Sequence, residues 1–220
     1  MAQLYWEQIS VHPCLPIGSS VGFESRIHLN DQGQLLPISD PRSTPYSLTA
    51  TGNNSSFDYD HCSTHVYTLL RKEANKEWCD FEWDGKCGFA GIYQPTMPDK
   101  TSKITDFIAT STVAAIYEFL RLPEKSYIHE IRTASENICN LTWEQLKTYN
   151  TEFGKPLRDN EDDLAQMCFQ SVFLYQLLAN GWGFSDDYKL TAKVEINGYF
   201  TGWQLGCILY EINTREYSIE

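Results

Sequence analysis

Seven cysteines are the residues of this 220-residue chain whose types and spacing most clearly indicate chemistry: Cys14, Cys62, Cys79, Cys87, Cys139, Cys168 and Cys207. No two of them have the C-x-x-C spacing of zinc sites and thioredoxin-like redox motifs, so disulfide bonds are the favoured use. Asn-x-Ser/Thr sequons at Asn53, Asn54 and Asn140 agree, because glycans and disulfides are both added in the secretory pathway. We therefore expect an extracellular or luminal glycoprotein. The alternative is an intracellular protein with scattered buried thiols.

Two further groups of side chains have spacings that a metal site uses. His61 and His65 have the i, i+4 spacing of a helical metal site, with Cys62 between them. The acidic run 161–163 has the oxygen ligands that calcium prefers, but acids also collect at a helix start, where they meet the positive end of the helix dipole. We predict a helix start at the acidic run and no metal at either position.

Charge and length limit the classes of partner. The net charge of −12 argues against nucleic acid or an anionic membrane, because both require a cationic surface. A phosphate-bearing small molecule stays possible, since backbone amides bind phosphate without basic side chains. No stretch reaches the roughly 18 apolar residues of a membrane-spanning helix. The N-terminus lacks a secretion signal, which with the sequons predicts the downstream part of a longer protein.

The sequence predicts both helices and strands to position these residues. Helices are predicted over 63–76, 106–122, 126–138 and 160–180, the last capped by Asn160 and ended by Gly181, with capping boxes at 142–145 and 201–204. Strand signals lie at 26–29, 35–38 and 189–196, and Asn197-Gly198 predicts a turn. The fold class is therefore α/β.

The residues around the cysteines resemble one family. Cys79…Cys87-Gly88-Phe89-Ala90-Gly91-Ile92-Tyr93-Gln94-Pro95 is similar to the Cys…Cys-x-Phe-x-Gly-x-Tyr/Phe-Gln-Pro segment of the apyrases, the nucleoside phosphatases of the ectonucleotidase and Golgi nucleoside-diphosphatase type. Further collinear similarities are His12-Pro13-Cys14-Leu15-Pro16, Cys139-Asn140-Leu141-Thr142-Trp143, Gly181-Trp182-Gly183-Phe184 and Gly202-Trp203-Gln204-Leu205-Gly206.

This resemblance implies a structure. It implies the disulfide pairs Cys14 with Cys62, Cys79 with Cys87, and Cys139 with Cys168, and leaves Cys207 as a small buried thiol. It also implies an actin-like, RNase-H-type fold of two lobes, of which this chain is mostly the C-terminal lobe. Residues 1–62 are then a loop- and hairpin-rich part stapled to an α/β lobe at 63–220.

The resemblance also implies a function. Apyrases hydrolyse the terminal phosphate of nucleoside tri- and diphosphates, with Mg or Ca and a glutamate-activated water. Their Asp-x-Gly-Ser-Ser and Asp-x-Gly-Gly-Ala-Ser phosphate loops and their glutamate are absent from these 220 residues, and Ile17-Gly18-Ser19-Ser20 lacks the aspartate. We predict that the chain needs a separate N-terminal lobe and is inactive alone. The alternative is a catalytically silent, disulfide-stapled binding or structural domain of the same fold.

The positions that grip the base in the family differ here. Ile17 stands where an arginine is common, Ala115 aligns with a stacking tyrosine, and Asp163 aligns with a second arginine. Tyr117, two residues beyond Ala115, is the candidate replacement for the tyrosine. Trp203 is carried over as a residue that lines the cleft. We therefore expect Trp203 and Tyr117 to contact substrate, while the base preference stays open.

Overall fold

A computed structural model describes residues 11–25, 28–29, 35–36, 46–52, 58–70, 88, 97, 106–152, 154, 156–200 and 203–214. The helices are α1 (Tyr59–Leu70), α2 (Thr112–Phe119), α3 (Ile128–Cys139), α4 (Trp143–Thr151), α5 (Glu161–Ala165), α6 (Met167–Gln176) and α7 (Trp203–Thr214). A π-helical turn, Leu177–Gly181, continues α6. The strands are β1 (Ser20–Ser25), β2 (His28–Leu29), β3 (Leu35–Leu36), β4 (Tyr46–Thr51), β5 (Ile108–Ala109), β6 (Lys125–Tyr127), β7 (Lys189–Ala192), β8 (Glu195–Ile196) and β9 (Tyr199–Phe200). The mixed α/β class predicted from the sequence is confirmed.

A three-stranded sheet with the order β5-β7-β6 lies beside the helices. The central strand β7 pairs in parallel with β5 and antiparallel with β6. Leu190 and Ala192 point to one face of β7, because strand side chains alternate, and both are buried. The sheet therefore covers one side of the core.

The other strands form antiparallel pairs. Strands β1 and β4 pair over their full length, from Ser20 opposite Thr51 to Ser25 opposite Tyr46. The pairing of β2 with β3 confirms the predicted N-terminal hairpin. The predicted turn at Asn197-Gly198 joins β8 to β9, and both residues have positive φ, as a tight hairpin turn requires.

The main core lies among α1, α3 and α6. Its fully buried side chains include Val66 of α1, Ile128 and Ile131 of α3, and Val172 of α6. The buried residues of each helix lie at helical spacing, so each helix has one apolar face. These three faces pack against one another. Burying one such side chain contributes about 1.5–3 kcal/mol. None of the helices in the described ranges is long and apolar enough to cross a membrane.

One disulfide joins the N-terminal segment to this core, and a second lies within the core. Cys14 is bonded to Cys62 of α1, and Cys139 at the end of α3 is bonded to Cys168 of α6. These are two of the three pairs that the resemblance implies, and Cys79 and Cys87 lie outside the described residues. Cys207 is free, but it is exposed, so the expectation of a buried thiol is wrong. The reason is that the described residues leave most of α7 uncovered.

Several predicted element boundaries are wrong. Helix α1 begins at Tyr59 rather than Ser63, because the Asp58 carboxylate accepts a hydrogen bond from the backbone N–H of His61 at 2.8 Å and caps the helix. The helix predicted over 106–122 is shortened, because residues 108–109 pair with β7 as a strand. The strand predicted over 189–196 is also shorter, because β7 ends at Ala192. Val194, which the alternation would place on the buried side, is exposed.

The predicted caps of α4 and α5 are confirmed by the structure. Thr142 and Gln145 form a reciprocal capping box at the start of α4, with contacts of 3.4 and 2.9 Å. Asn160 caps α5 by accepting from the backbone N–H of Asp162 at 2.8 Å, and the helical run ends at Gly181, both as predicted. The Thr201 cap lies outside the described residues.

Candidate functional site

An open cavity of about 460 Å³ lies where α2, α5 and α6 meet. Ser111, which precedes α2, and Ala115 and Glu118 of α2 line one side, because residues three or four apart share one face of a helix. Asp163 in the first turn of α5 and Gln170 of α6 form the opposite side. The sequence therefore places polar side chains from three separate helices around one space.

Arg158 projects into this cavity from the loop before α5. The side chain of buried Asn150 holds its backbone, donating to the Arg158 carbonyl and accepting from its N–H, both at 2.8 Å. Its guanidinium donates to the carbonyl oxygens of Leu157 and Ala115 at 2.7 and 2.6 Å. It also lies 5.3 Å from the ring centre of Phe119. Arg158 is thus a fixed donor.

The cavity contains one positively charged side chain, Arg158, and two carboxylates, Glu118 and Asp163. Burial lowers the pKa of Arg158, while the carboxylates of Glu118 and Asp163 raise it. The guanidinium stays protonated, since arginine remains charged at any physiological pH. Neither carboxylate forms an ion pair with another residue of the described ranges. The cavity therefore offers one cationic donor, two anionic acceptors and the Gln170 amide to a polar ligand.

Two of the positions that the resemblance assigns to the base lie in this cavity. Ala115 and Asp163 are far apart in sequence, and the fold brings them together on either side of Arg158. Ile17 lies elsewhere, where its carbonyl accepts from the backbone N–H of Trp143 at 3.4 Å. The side chain of Trp203 lies outside the described residues, although its backbone begins α7.

Tyr117 does not reach the cavity. It is 2% exposed and belongs to the main core. The physical reason is helix geometry, because a residue two positions from Ala115 points to nearly the opposite side of α2. Burial raises the pKa of Tyr117, and the charge of Glu130 adds to this effect. Tyr117 therefore presents almost no surface to a ligand in this arrangement, and its contact with substrate stays a prediction.

Arg158 is the cavity residue that sequence reasoning missed. It stands in an irregular loop, so no periodicity marks it, and it lies outside the segments that carry the resemblance. A weak signal exists, because Arg158 lies two residues before the strong helix cap Asn160, and a side chain there lies near the helix start. That signal indicates where the Arg158 side chain lies, but it does not indicate what the side chain binds.

The remaining predicted sites are the histidines weighed as metal ligands and the asparagines of the sequons. His61 pairs with Asp58 at 2.8 Å, and Cys62 is occupied by its disulfide. The described ranges contain no group of three His, Cys, Asp or Glu side chains placed to hold a metal. Asn140 is exposed at the end of α3, whereas Asn53 and Asn54 lie outside the described residues.

Comparison with known proteins identifies one family. The model of the GDA1/CD39 (nucleoside phosphatase) family matches residues 10–220. The chain is 22% identical to probable apyrase 6 of Arabidopsis thaliana over 209 residues, which are 94% of this chain and 33% of that protein. It is 27% identical to ectonucleoside triphosphate diphosphohydrolase 2 of Homo sapiens, over 90% of this chain and 36% of that protein. It is also 27% identical to ectonucleoside triphosphate diphosphohydrolase 8 of Bos taurus, over 64% of this chain and 26% of that protein. The chain spans about a third of the length of the curated relatives it matches.

Proposed function

Because this chain belongs to the GDA1/CD39 (nucleoside phosphatase) family, we propose that it is the C-terminal lobe of an apyrase-like enzyme that removes the terminal phosphate of nucleoside tri- and diphosphates. The observation that carries this proposal is the family match over residues 10–220, joined to a cavity in which Ala115 and Asp163 lie together. In this proposal the lobe holds the base end of the nucleotide, and Trp203 lines the cleft.

The phosphate chemistry is assigned to residues outside this chain. The sequence holds neither of the family's phosphate loops nor its glutamate, and the cavity offers no nucleophile paired with a base. The implied Mg or Ca ion does not fit the described residues, which offer no group of three suitable side chains. No step through the metal is therefore assigned to this chain.

A partner lobe is supported by the surface of α7. Its apolar side chains Ile208, Leu209, Tyr210 and Ile212 are all more than half exposed. Large contiguous apolar surface on a folded chain marks an interaction site. We propose that the actin-like second lobe covers it. We also propose that residues 1–62 form a loop- and hairpin-rich part stapled to the α/β lobe at 63–220, because Cys14 is bonded to Cys62 in helix α1, which continues into that lobe.

The proposed location is the extracellular space or the secretory lumen. The disulfides Cys14–Cys62 and Cys139–Cys168 support it, because such bonds persist in oxidising compartments. The exposure of Asn140 supports glycan addition there. A glycosidase-sensitive mass on the secreted chain tests both points.

Phosphate release tests the proposed function. We expect the complete gene product to release phosphate from nucleoside di- and triphosphates with Mg or Ca, and residues 1–220 alone to release none. A reading frame upstream of Met1 that encodes Asp-x-Gly-Gly-Ala-Ser supports the enzyme. Turnover by residues 1–220 alone contradicts the assignment of the chemistry to another lobe.

The second candidate is a silent relative that keeps the fold. The departures at Ile17, Ala115 and Asp163 favour it, because they remove the family's base contacts. It predicts that the complete gene product neither turns over nor binds any nucleotide. Isothermal titration with a nucleoside diphosphate separates the two candidates.

A further inference from the structure

His12 lies where the N-terminal segment docks on the rest of the fold, two residues before the disulfide-bonded Cys14. Its backbone N–H donates to the Thr51 carbonyl, at the end of β4, at 3.1 Å. Its imidazole packs edge-on against the rings of His65 of α1 and Phe169 of α6, with ring centres 6.0 and 5.9 Å away. One residue thus joins the segment to β4, α1 and α6.

The docked arrangement requires a neutral imidazole at His12. The backbone N–H of Cys14 donates to Nδ1 of His12 at 3.2 Å, and a ring nitrogen accepts a hydrogen bond only when it carries no proton. A proton on Nδ1 would place two donors against each other. An acidic solution therefore removes this hydrogen bond, and it does so at a side chain that is partly buried.

The neighbours of His12 do not compensate a positive charge on its ring. His65 faces it from α1, and within the described ranges neither imidazole forms an ion pair with a carboxylate. His61, one turn before His65, pairs with Asp58 instead. Asp60, five residues before His65, lies on a different face of α1. The elements β4 and α6 contain no Asp, Glu, Lys or Arg.

We propose that His12 and His65 form a pH-sensitive latch, which holds residues 11–13 on α1 and β4 at neutral pH and releases them in acid. This inference is independent of the proposed function. Release separates the two imidazoles and lets each take up a proton in water. The Cys14–Cys62 disulfide keeps the released segment attached to α1.

The direction of the pH dependence follows from the state that binds more protons. Burial lowers the pKa of His12, and the charge of His65 lowers it further. The released segment therefore binds more protons than the docked one. Docking is then fully stabilised above the ordinary histidine value of about 6.5, and it weakens as the pH falls below that value. Secretory and endosomal compartments differ in this range, so the attachment of the segment depends on the compartment.

Amide hydrogen exchange of the complete gene product, with its disulfides intact, measures the latch. We expect the protection of residues 11–15, corrected for the intrinsic exchange rate at each pH, to fall about fivefold between pH 7.5 and pH 5.0, the factor that one hydrogen bond contributes. The helix α4, Trp143–Thr151, contains no histidine and should keep its protection. An equal fall in α4 would show general unfolding in acid and would overturn the inference.

Three variants assign the effect. His12→Asn keeps an acceptor for the Cys14 N–H but does not titrate, so its protection should be the same at both pH values. His65→Gln removes the like charge and should give a smaller fall than the wild-type protein. His61→Gln is the matched control on the same helix and should show the full fall. Constant protection of residues 11–15 in the wild-type protein overturns the inference, as does a full fall in the His12→Asn protein.

Discussion

Gly52 lies against the main chain of Pro16 so closely that a β-carbon built on Gly52 would be 2.0 Å from the Pro16 carbonyl oxygen. The Leu15 carbonyl oxygen would be 2.5 Å away. The same contact includes a bridge between Ile17 and Gly52 and a hydrogen bond from the Gly52 N–H to the Ser19 carbonyl at 3.2 Å. The segment that carries Cys14 is thus docked on the end of β4 by close backbone contacts, beside a buried cluster that includes Leu15 and Ala50.

Gly52→Ala should therefore destabilise the chain. The added methyl group meets backbone atoms, which cannot move aside as a side chain can, and we expect a loss of more than about 2 kcal/mol in the free energy of unfolding, measured by urea denaturation. Gly22→Ala is the matched control, because nothing lies within 4 Å of a β-carbon there. Similar losses for both variants would show that the close approach has no energetic role.

Removal of the Cys139–Cys168 disulfide should lower stability by up to about 3.5 kcal/mol, because a cross-link restricts the unfolded chain and so lowers its entropy. The bond closes a loop with a sequence separation of 29 and joins α3 to α6. Urea unfolding of Cys139→Ala/Cys168→Ala measures the loss. Cys207→Ala is the control, because its thiol is free and exposed. A loss below about 1 kcal/mol would contradict the expected contribution.

Thr142 has two roles that substitutions can separate. Its hydroxyl accepts from the backbone N–H of Gln145 as the cap of α4, and it is also the third residue of the Asn140 sequon. Thr142→Ala should cost about 1 kcal/mol of stability and remove the glycan. Thr142→Asp should keep the cap and lose the glycan, and Thr142→Ser should keep both. Urea unfolding and the mass of the secreted chain are the two measurements. A glycan on the Thr142→Asp protein at Asn140 would be incompatible with this assignment.

The hydroxyls of Tyr117 and Tyr149 should respond differently to removal. The Tyr117 hydroxyl is buried and has no hydrogen-bond partner in the part of the chain that the structure describes, whereas that of Tyr149 donates to the Phe119 carbonyl at 2.9 Å. Tyr117→Phe should leave stability unchanged or raise it by up to about 1 kcal/mol, and Tyr149→Phe should lower it by about 1 kcal/mol. Thermal unfolding compares the two. A large loss for Tyr117→Phe would reveal a partner for its hydroxyl.

Local chemistry explains why some of the fold is predictable from the sequence. The caps at Thr142 and Asn160 and the turn at Asn197-Gly198 are predicted correctly, because a side chain or a positive φ within a few residues determines each. The predicted start of α1 is wrong because Asp58, rather than Ser63 or Thr64, is its cap. The apolar pattern of residues 108–109 suits a helix or a strand equally, and only pairing with distant β7 makes them a strand.

The cavity is harder to predict than the elements around it. The family resemblance points to Ala115 and Asp163, but their proximity depends on how α2 packs against α5 and α6. Arg158 joins the site through tertiary contacts with Asn150 and the Ala115 carbonyl, which no local pattern specifies. Tyr117 shows the converse, because a residue close in sequence to Ala115 lies on the other side of the same helix.

The exposed thiol of Cys207 affects how the chain acquires its disulfides. A free thiolate attacks existing disulfides by exchange, and an accessible one does so fastest. A seventh cysteine also enlarges the set of possible pairings well beyond that of six. Refolding of the 220-residue chain should then pass through mixed-disulfide isomers that involve α7, and its yield should depend on the redox buffer. Shielding of α7 by another polypeptide surface would act as a folding aid, because it would remove the reactive sulfur from the exchange reaction.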